Sequence, residues 1–170
     1  MRVFICFGLV VLSFAASAAA QTVTAAKSAP TTELLVEVEG GRSILMKAAD
    51  LAKLPRKEVK ATDHDGVEGI YSGHELREII GPAGAKLGKD LRGPAVAQYL
   101  VIEAADGYHA VYSITELDPD FTDKVVILAD KRDGKLLDAK SGPWQIIATN
   151  EKKHARWVRQ VTALKVKLAK

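Results

Sequence analysis

The sequence has a single cysteine among its 170 residues, and this scarcity excludes several classes of protein. One cysteine forms no internal disulfide, no cysteine-rich zinc site and no iron–sulfur cluster. It is Cys6, inside an apolar N-terminal stretch that has the features of a leader. Without that leader the chain has no thiol to act as nucleophile or metal ligand, and its core must be held by packing alone.

Aromatic residues are also scarce, at 6% of the chain, and neither sign of charge dominates. A core poor in aromatic residues relies on aliphatic side chains, which suits β-sheets covered by short helices. The 24 Lys and Arg residues against 21 Asp and Glu residues give a net charge of +3. This balance argues against a nucleic-acid partner, and a hydrophobic content of 48% indicates a globular chain.

The N-terminus indicates a secretory signal peptide: Arg2 is followed by an apolar stretch over residues 3–14 and small residues over 15–20. Ala18 and Ala20 fit the A-x-A pattern, which predicts cleavage after Ala20 or, alternatively, after Ala18. We expect a signal peptide over residues 1–20, a polar linker over 21–32 and a single domain over 33–170, periplasmic or secreted. An uncleaved anchor is the alternative, because the apolar stretch reaches about eighteen residues if the alanines are counted.

Hydrophobic patterns predict an α+β architecture of mixed or antiparallel sheets with short helices. Strands are predicted over residues 33–39, 42–46, 59–61, 67–72, 99–105, 108–114, 124–129, 144–149 and 158–168. The nearly unbroken apolar run over 99–105 is typical of a strand buried on both faces. Short helices are predicted over residues 48–54 and from Gly73 to residue 80. Ser113 and Glu116 fit a capping box over one further helical turn.

The chain lacks the glycine-rich phosphate loops, the G-x-S-x-G elbow and the H-E-x-x-H zinc motif, which removes most support for hydrolase and nucleotide-binding functions. One polar segment that remains is Asp63-His64-Asp65-Gly66. Carboxylate and imidazole groups suit Mn, Fe or Zn, so a metal site is one interpretation. The other, which we favour, is a hairpin turn with His64 in solvent, because Asp and Gly are typical turn residues.

A second polar segment, residues 150–157, carries Lys152, Lys153, His154 and Arg156. Lysine and arginine together suit an anion, and arginine can bind phosphate through two parallel hydrogen bonds. The alternative is a solvated basic turn, which is what most runs of like charge are. Taken alone, the segment favours the solvated turn, and an anion site is the other interpretation.

Five segments resemble, in this order, the small sulfite-oxidase-like, molybdopterin-binding oxidoreductase domain. They are LMKAADLAKLP, VKATDHDGVEGIYSGHELREIIGPAGA, YLVIEAADGYHAVYSITELD, VVILADKRDGKLL and GPWQIIATNEKKHARWVRQV. The resemblance covers residues 45–161. It implies a mixed α+β domain that, in full enzymes, buries a molybdenum–pterin cofactor and performs oxygen-atom or two-electron redox chemistry.

The resemblance also implies site residues. The family holds its cofactor phosphate near a V-K-W-like segment, which here is Ala155-Arg156-Trp157. Arg156 is thus the expected phosphate ligand, with Lys152, Lys153 and His154 as neighbours.

In catalytic members a cysteine thiolate binds molybdenum from the loop that corresponds to residues 62–66. That loop supplies Thr62, Asp63 and His64 as candidate cofactor contacts but no cysteine, and the C-x-G-N-x-R pattern is missing. Neither hydroxyl nor carboxylate replaces a thiolate in kind.

Together these observations predict an exported member of this family that binds a molybdopterin-type cofactor or another anion. Turnover of the sulfite-oxidase type is not expected, because the cysteine ligand is missing. The alternative function is a non-catalytic periplasmic module that binds a small anion or a protein partner. A cavity that joins the 62–66 loop to Arg156 is the structural feature that the cofactor hypothesis requires.

Overall fold

A computed structural model describes residues 33–169; the predicted signal peptide and linker lie outside the described residues. The strands are β1 (Glu33–Val38), β2 (Ser43–Lys47), β3 (Lys57–Thr62), β4 (Glu68–Glu75), β5 (Gln98–Ala104), β6 (His109–Ser113), β7 (Val126–Arg132), β8 (Lys135–Leu136), β9 (Gln145–Ala148) and β10 (Val161–Leu168). The described residues form two α-helices, α1 (Ala48–Leu51) and α2 (Leu76–Ile80). Short 3-10 turns cover Gly81–Ala83, Gly88–Asp90, Gly93–Ala97, Ile114–Leu117 and His154–Arg156.

The first sheet has five strands in the order β2-β1-β10-β5-β6. Its only parallel pair is β1 with β10, which joins the two ends of the described chain. Strand β1 alternates as predicted, with Leu34, Val36 and Val38 buried beneath solvent-facing neighbours. The hairpin predicted at residues 40–41 is present, since β2 returns antiparallel to β1.

The second sheet is antiparallel, in the order β3-β4-β7, and both β8 and β9 pair with the far side of β7. A bulge interrupts the β4–β7 ladder between Ser72 and Gly73. A Cβ atom on Gly73 would lie 2.0 Å from the carbonyl oxygen of Leu128, so only glycine allows these two strands to approach this closely.

Two local predictions need correction. Gly73 does not open a helix, because β4 continues to Glu75 and α2 begins at Leu76. Strand β5 is buried on one face rather than both: Leu100 and Ile102 are fully buried, whereas the alternate residues are half-exposed. An unbroken apolar run does not distinguish these cases when the outward face also carries apolar residues.

Helix α2 links the two sheets. Its residues Leu76, Ile79 and Ile80 are fully buried, and the helix contacts β1 of the first sheet and β4 and β7 of the second. A single continuous cluster of buried side chains joins both sheets. Burial of each such aliphatic side chain contributes about 1.5–3 kcal/mol, which is how the domain is held without a disulfide.

Four parts of the chain meet at one end of the second sheet. They are the β3–β4 turn, the last residue of β7, the loop around residues 138–141, and the segment over residues 150–160 that leads from β9 to β10. Within residues 33–169 no helix is long and apolar enough to cross a bilayer. The predicted α+β class is confirmed.

Candidate functional site

A cleft of about 860 Å³ lies where these parts of the chain meet. It is lined by Asp63, His64, Asp65, Tyr71, Arg132, Asp138, Lys140, Ser141, Gln145, Lys152, Lys153, His154, Ala155, Trp157 and Arg159. Five of these residues are Lys or Arg and three are Asp, so the cleft carries an excess of positive charge. A ligand that matches this lining is therefore anionic.

The β3–β4 turn forms one wall, and its conformation is set by Asp63. One oxygen of the Asp63 carboxylate accepts hydrogen bonds from the backbone N–H groups of Asp65 (2.9 Å) and Val67 (2.8 Å). The other oxygen accepts one from Arg132 (2.7 Å). The Val67 bond, followed by the Arg132 contact, lowers the pKa of Asp63 and keeps it ionised. Gly66 completes the turn at φ +80°, a conformation that favours glycine.

These contacts confirm the turn interpretation of residues 63–66 and leave little of the Asp63 carboxylate for a metal ion. Among residues 33–169, no three His, Cys, Asp or Glu side chains are grouped so that they could hold one. His64 and Asp65 are exposed at the cleft wall. The metal interpretation of this segment thus finds no support in the geometry.

Arg132 connects the turn to the end of β7. Besides its bond to Asp63, it donates to the carbonyl oxygen of Val67 (3.2 Å) and lies 5.3 Å from the centre of the Tyr71 ring. A Cβ atom at position 69 would lie 2.6 Å from Arg132 Nε, so Gly69 makes room for the guanidinium. The Arg132 guanidinium is therefore paired within the protein. It lines the cleft but is not free to bind a ligand.

The exposed cations of the cleft are Lys140, Lys152, Lys153 and Arg159, which we call the cationic rim. No carboxylate within residues 33–169 forms a salt bridge with any of them, in contrast to Arg132. Unpaired cations beside a concave surface retain their full charge for an incoming anion. The rim is the part of the cleft that is free to bind.

Aromatic side chains form the inner surface of the cleft. The centres of the His154 and Trp157 rings lie 4.1 Å apart, with the ring planes tilted by 35°. Tyr71 packs edge to face against Trp157, with ring centres 6.0 Å apart. Trp157 is buried, and its Nε1–H has no hydrogen-bond partner in the described part of the chain. Gln145 also lines the cleft and is only 5% exposed. Planar side chains next to the rim suit a ligand that carries a flat group beside its charge.

Arg156 faces a different environment from its basic neighbours. Its guanidinium donates to Glu116 Oε1 (3.1 Å) and Oε2 (2.9 Å), to Glu151, and to the carbonyl oxygen of Val111 (3.2 Å). It also lies 4.1 Å from the centre of the Tyr112 ring. Arg156 is not among the residues that line the cleft.

Lys124 completes this arrangement, since its ammonium lies 2.8 Å from Glu116 and 3.5 Å from Glu151. We call Glu116, Lys124, Glu151 and Arg156 the ion-pair cluster. Burial alone would raise the pKa of Glu116, but hydrogen bonds from Arg156 and Lys124 outweigh it and lower the pKa to about 2. The bond to Glu116 in turn raises the pKa of Arg156, so both groups are charged at every ordinary pH.

The structure thus brings together most, though not all, of the residues that the sequence singled out. Asp63 and His64 share the cleft with Lys152, Lys153 and His154, whereas Thr62 lines a neighbouring depression of about 290 Å³. A cavity joins the 62–66 loop to Lys152, Lys153 and His154, but it does not reach Arg156, so the cavity that the cofactor hypothesis requires is present only in part. Sequence reasoning missed the contributions of Lys140 and Arg159, and it identified Glu116 only as a helix cap, which it also is.

These residues match one part of a molybdopterin-type cofactor and not another. The rim suits its phosphate, and the aromatic surface suits its ring system. The described chain offers no thiolate for molybdenum, because the one cysteine of the sequence is Cys6, and Asp63 is already bound on both oxygens. The donor set therefore does not fit the metal centre of such a cofactor.

No protein-family model matches the chain, and no curated protein sequence matches it. Among solved structures 22 chains match. One of them belongs to the sulfane dehydrogenase SoxCD from Paracoccus pantotrophus, with a TM-score of 0.61 at 16% identity. The match covers 79% of this chain and 37% of that one, so the present chain spans little more than a third of its length. At this identity the similarity concerns the fold alone, and it confirms the expected α+β, sulfite-oxidase-like fold.

Proposed function

We propose that this protein is a binding module of sulfite-oxidase-like fold, and that its cleft takes a small anion that carries phosphate. The observation that carries the proposal is the cationic rim: Lys140, Lys152, Lys153 and Arg159 line one concavity and have no acidic partner in residues 33–169. Lysine and arginine form short, charge-assisted hydrogen bonds with phosphate oxygens, roughly twice as strong as neutral ones.

The arrangement also suggests how the anion is oriented. The rim would attract the charged group, while Tyr71, His154 and Trp157 offer flat surfaces further in. The Asp63–Arg132 pair holds the opposite wall in place, so that little conformational entropy is lost there on binding. The result is capture without a chemical step, which agrees with the absence of a cysteine from residues 33–169.

Thermal unfolding tests this proposal directly. Inorganic pyrophosphate, phosphate and sulfate serve as probes, because they present the charge without a ring. A ligand at about 100 times its Kd adds about 2.7 kcal/mol to the stability of the folded state, which raises Tm visibly. The Lys152→Ala/Lys153→Ala variant should lose the shift. The control Lys86→Ala/Lys89→Ala, which removes two exposed lysines that do not line the cleft, should keep it. No shift with any probe would contradict the proposal.

A second candidate is supported by the fold: the anion is a molybdopterin-type cofactor bound without a cysteine ligand. The fold is shared with SoxCD, whose name describes a dehydrogenase, and the cleft suits a ring that bears phosphate. Purification from cells that make the cofactor, followed by molybdenum analysis and fluorescence of the oxidised pterin, separates the candidates. Pterin without molybdenum supports a bound organic moiety, and near-zero stoichiometry of both leaves only the simple anion.

We place the module outside the cytoplasm, in the periplasm or secreted, on the basis of the apolar, alanine-rich sequence of residues 1–20. The test is cell fractionation with N-terminal sequencing of the purified protein. A mature chain that begins at Gln21, or at Ala19, supports export. An intact Met1 in the cytoplasmic fraction would contradict it.

A further inference from the structure

We propose that Arg156 is a positioning residue: it holds the basic segment against β6 so that Lys152, Lys153 and Trp157 face the cleft. This assigns to Arg156 a role different from the direct phosphate ligand that the family resemblance implies. The affinity part of the inference rests on the proposed function, whereas the structural part stands without it.

The first support is that both terminal nitrogens of Arg156 already donate two hydrogen bonds each within the protein. Glu116 accepts from both of its terminal nitrogens, at 3.1 and 2.9 Å, and Glu151 and the carbonyl oxygen of Val111 accept further bonds. The face of the guanidinium lies on the Tyr112 ring. An anion in the cleft would have to break a two-fold ion pair to reach it, and such pairs are the strongest type that arginine forms.

The second support is that β6 and the residue before it also hold the backbone of the same segment. The Tyr108 hydroxyl donates to the carbonyl oxygen of Ala155 (2.7 Å), and the Tyr112 hydroxyl donates to that of Arg156 (3.0 Å). The segment itself has only one short 3-10 turn, over His154–Arg156. Its conformation therefore depends on these outside contacts rather than on regular secondary structure.

The third support is the position of the cluster between two parts of the same segment. Glu151 precedes Lys152 and Lys153 directly, and its side chain is 7% exposed, while Arg156 precedes Trp157 directly. The Glu151–Arg156 pair thus joins the two ends of the stretch that carries the rim lysines. Fixing those ends limits where the intervening side chains can point.

The two roles for Arg156 predict opposite effects of Glu116→Gln. If Arg156 bound the anion, removal of a competing carboxylate would free it and tighten pyrophosphate binding. If Arg156 positions the segment, the same substitution loosens the wall, and Kd for pyrophosphate should rise about fivefold or more. The Arg156→Ala/Glu116→Gln double variant should then bind no more weakly than Arg156→Ala, because both changes disrupt one unit.

Hydrogen exchange provides a readout that needs no ligand. The N–H groups of Trp157 and Val158 donate to the carbonyl oxygens of His154 and Arg156, and both should exchange at least threefold faster in Glu116→Gln and Arg156→Ala. Lys124→Met serves as the second variant if either fails to fold. Glu103→Gln is the matched control, since it breaks a half-buried pair with Lys165 on the first sheet.

The outcomes separate the two proposals. Faster exchange of residues 152–158 in the cluster variants, and not in the control, supports positioning even if pyrophosphate does not bind, in which case only the anion-binding function fails. Unchanged exchange overturns the positioning role. Tighter pyrophosphate binding by Glu116→Gln overturns it as well, and identifies Arg156 as an anion ligand.

Discussion

Residues 151–159 contain two groups of charged side chains, and these groups lie in opposite environments. Glu151 and Arg156 turn inward, pair with Glu116 and Lys124, and hold the segment in place. Lys152, Lys153 and Arg159 turn outward into the cleft and lack acidic partners among residues 33–169. A basic stretch is therefore not one feature, because the partners of each residue decide whether its charge supports the fold or is free for a ligand.

Removal of one cation from each group should give the largest contrast. Arg156→Met leaves Glu116 and Glu151 with only Lys124, and a half-buried carboxylate without its partner costs about 2–4 kcal/mol of stability. Lys153→Met removes an exposed, unpaired charge and should change the stability by less than about 0.5 kcal/mol. Urea unfolding of the two variants measures both values. Equal losses would mean that the ion-pair cluster contributes nothing beyond ordinary surface charge.

Acid should weaken the ion-pair cluster through the protonation of Glu116. The pKa of Glu116 is about 2 in the folded protein, below its ordinary value of 4.5, so its contribution to stability is fully present above pH 4.5 and is lost as the pH falls towards 2. Allowing for the solvent exposure of this carboxylate, the loss is on the order of 2 kcal/mol. Unfolding free energies measured from pH 6 to pH 2.5 should fall less steeply in Glu116→Gln than in the wild type. Parallel curves would contradict the assignment.

Much of the fold was predictable because its signals are local. The alternation in β1, the turns at residues 40–41 and 106–107, and the cap formed by Ser113 and Glu116 depend on residues close in sequence, and the structure confirms all of them. Gly73 was misread because its reason lies elsewhere in the chain. Leu128 on β7 approaches so closely that only glycine fits at position 73. The residues next to Gly73 in the sequence do not indicate that contact.

The site was predictable only in part, for the same physical reason. Asp63 and Lys152 were singled out by their residue types, but the pairing of Asp63 with Arg132 depends on the register of β4 against β7. The direction of Arg156 was not predictable either, because an irregular segment has no periodicity that assigns a residue to a face. The family resemblance implies one site for the two segments, and both line the cleft, but it also implies that Arg156 faces the phosphate, whereas its guanidinium lies outside the cleft.

Salt should distinguish the same two groups in the intact protein. Between about 0.05 and 0.5 M ionic strength the screening length shrinks severalfold, and exposed charges feel this more than partly buried ones. Pyrophosphate binding should therefore weaken about tenfold, equivalent to about 1.4 kcal/mol. The stability contributed by the ion-pair cluster, measured as the difference between wild type and Arg156→Met, should change far less. A comparable salt dependence of both quantities would remove the distinction between cluster and rim.

The smallest expected effect concerns the hydrogen bonds that Tyr108 and Tyr112 donate to the backbone of the basic segment. The test is whether these bonds, like the ion-pair cluster, hold the segment in place. Tyr108 is half-exposed, so water can replace its bond to Ala155, and Tyr108→Phe should cost about 0.5–1 kcal/mol. Tyr112 is fully buried, and Tyr112→Phe leaves the carbonyl oxygen of Arg156 with less access to water, so it should cost more, about 1–2 kcal/mol. The same order is expected in the hydrogen exchange of residues 152–158. If Tyr108→Phe loosens the segment as much as Arg156→Ala does, the tyrosine hydrogen bonds hold the segment in place. The ion pairs of Glu151 and Arg156 would then contribute little to its position.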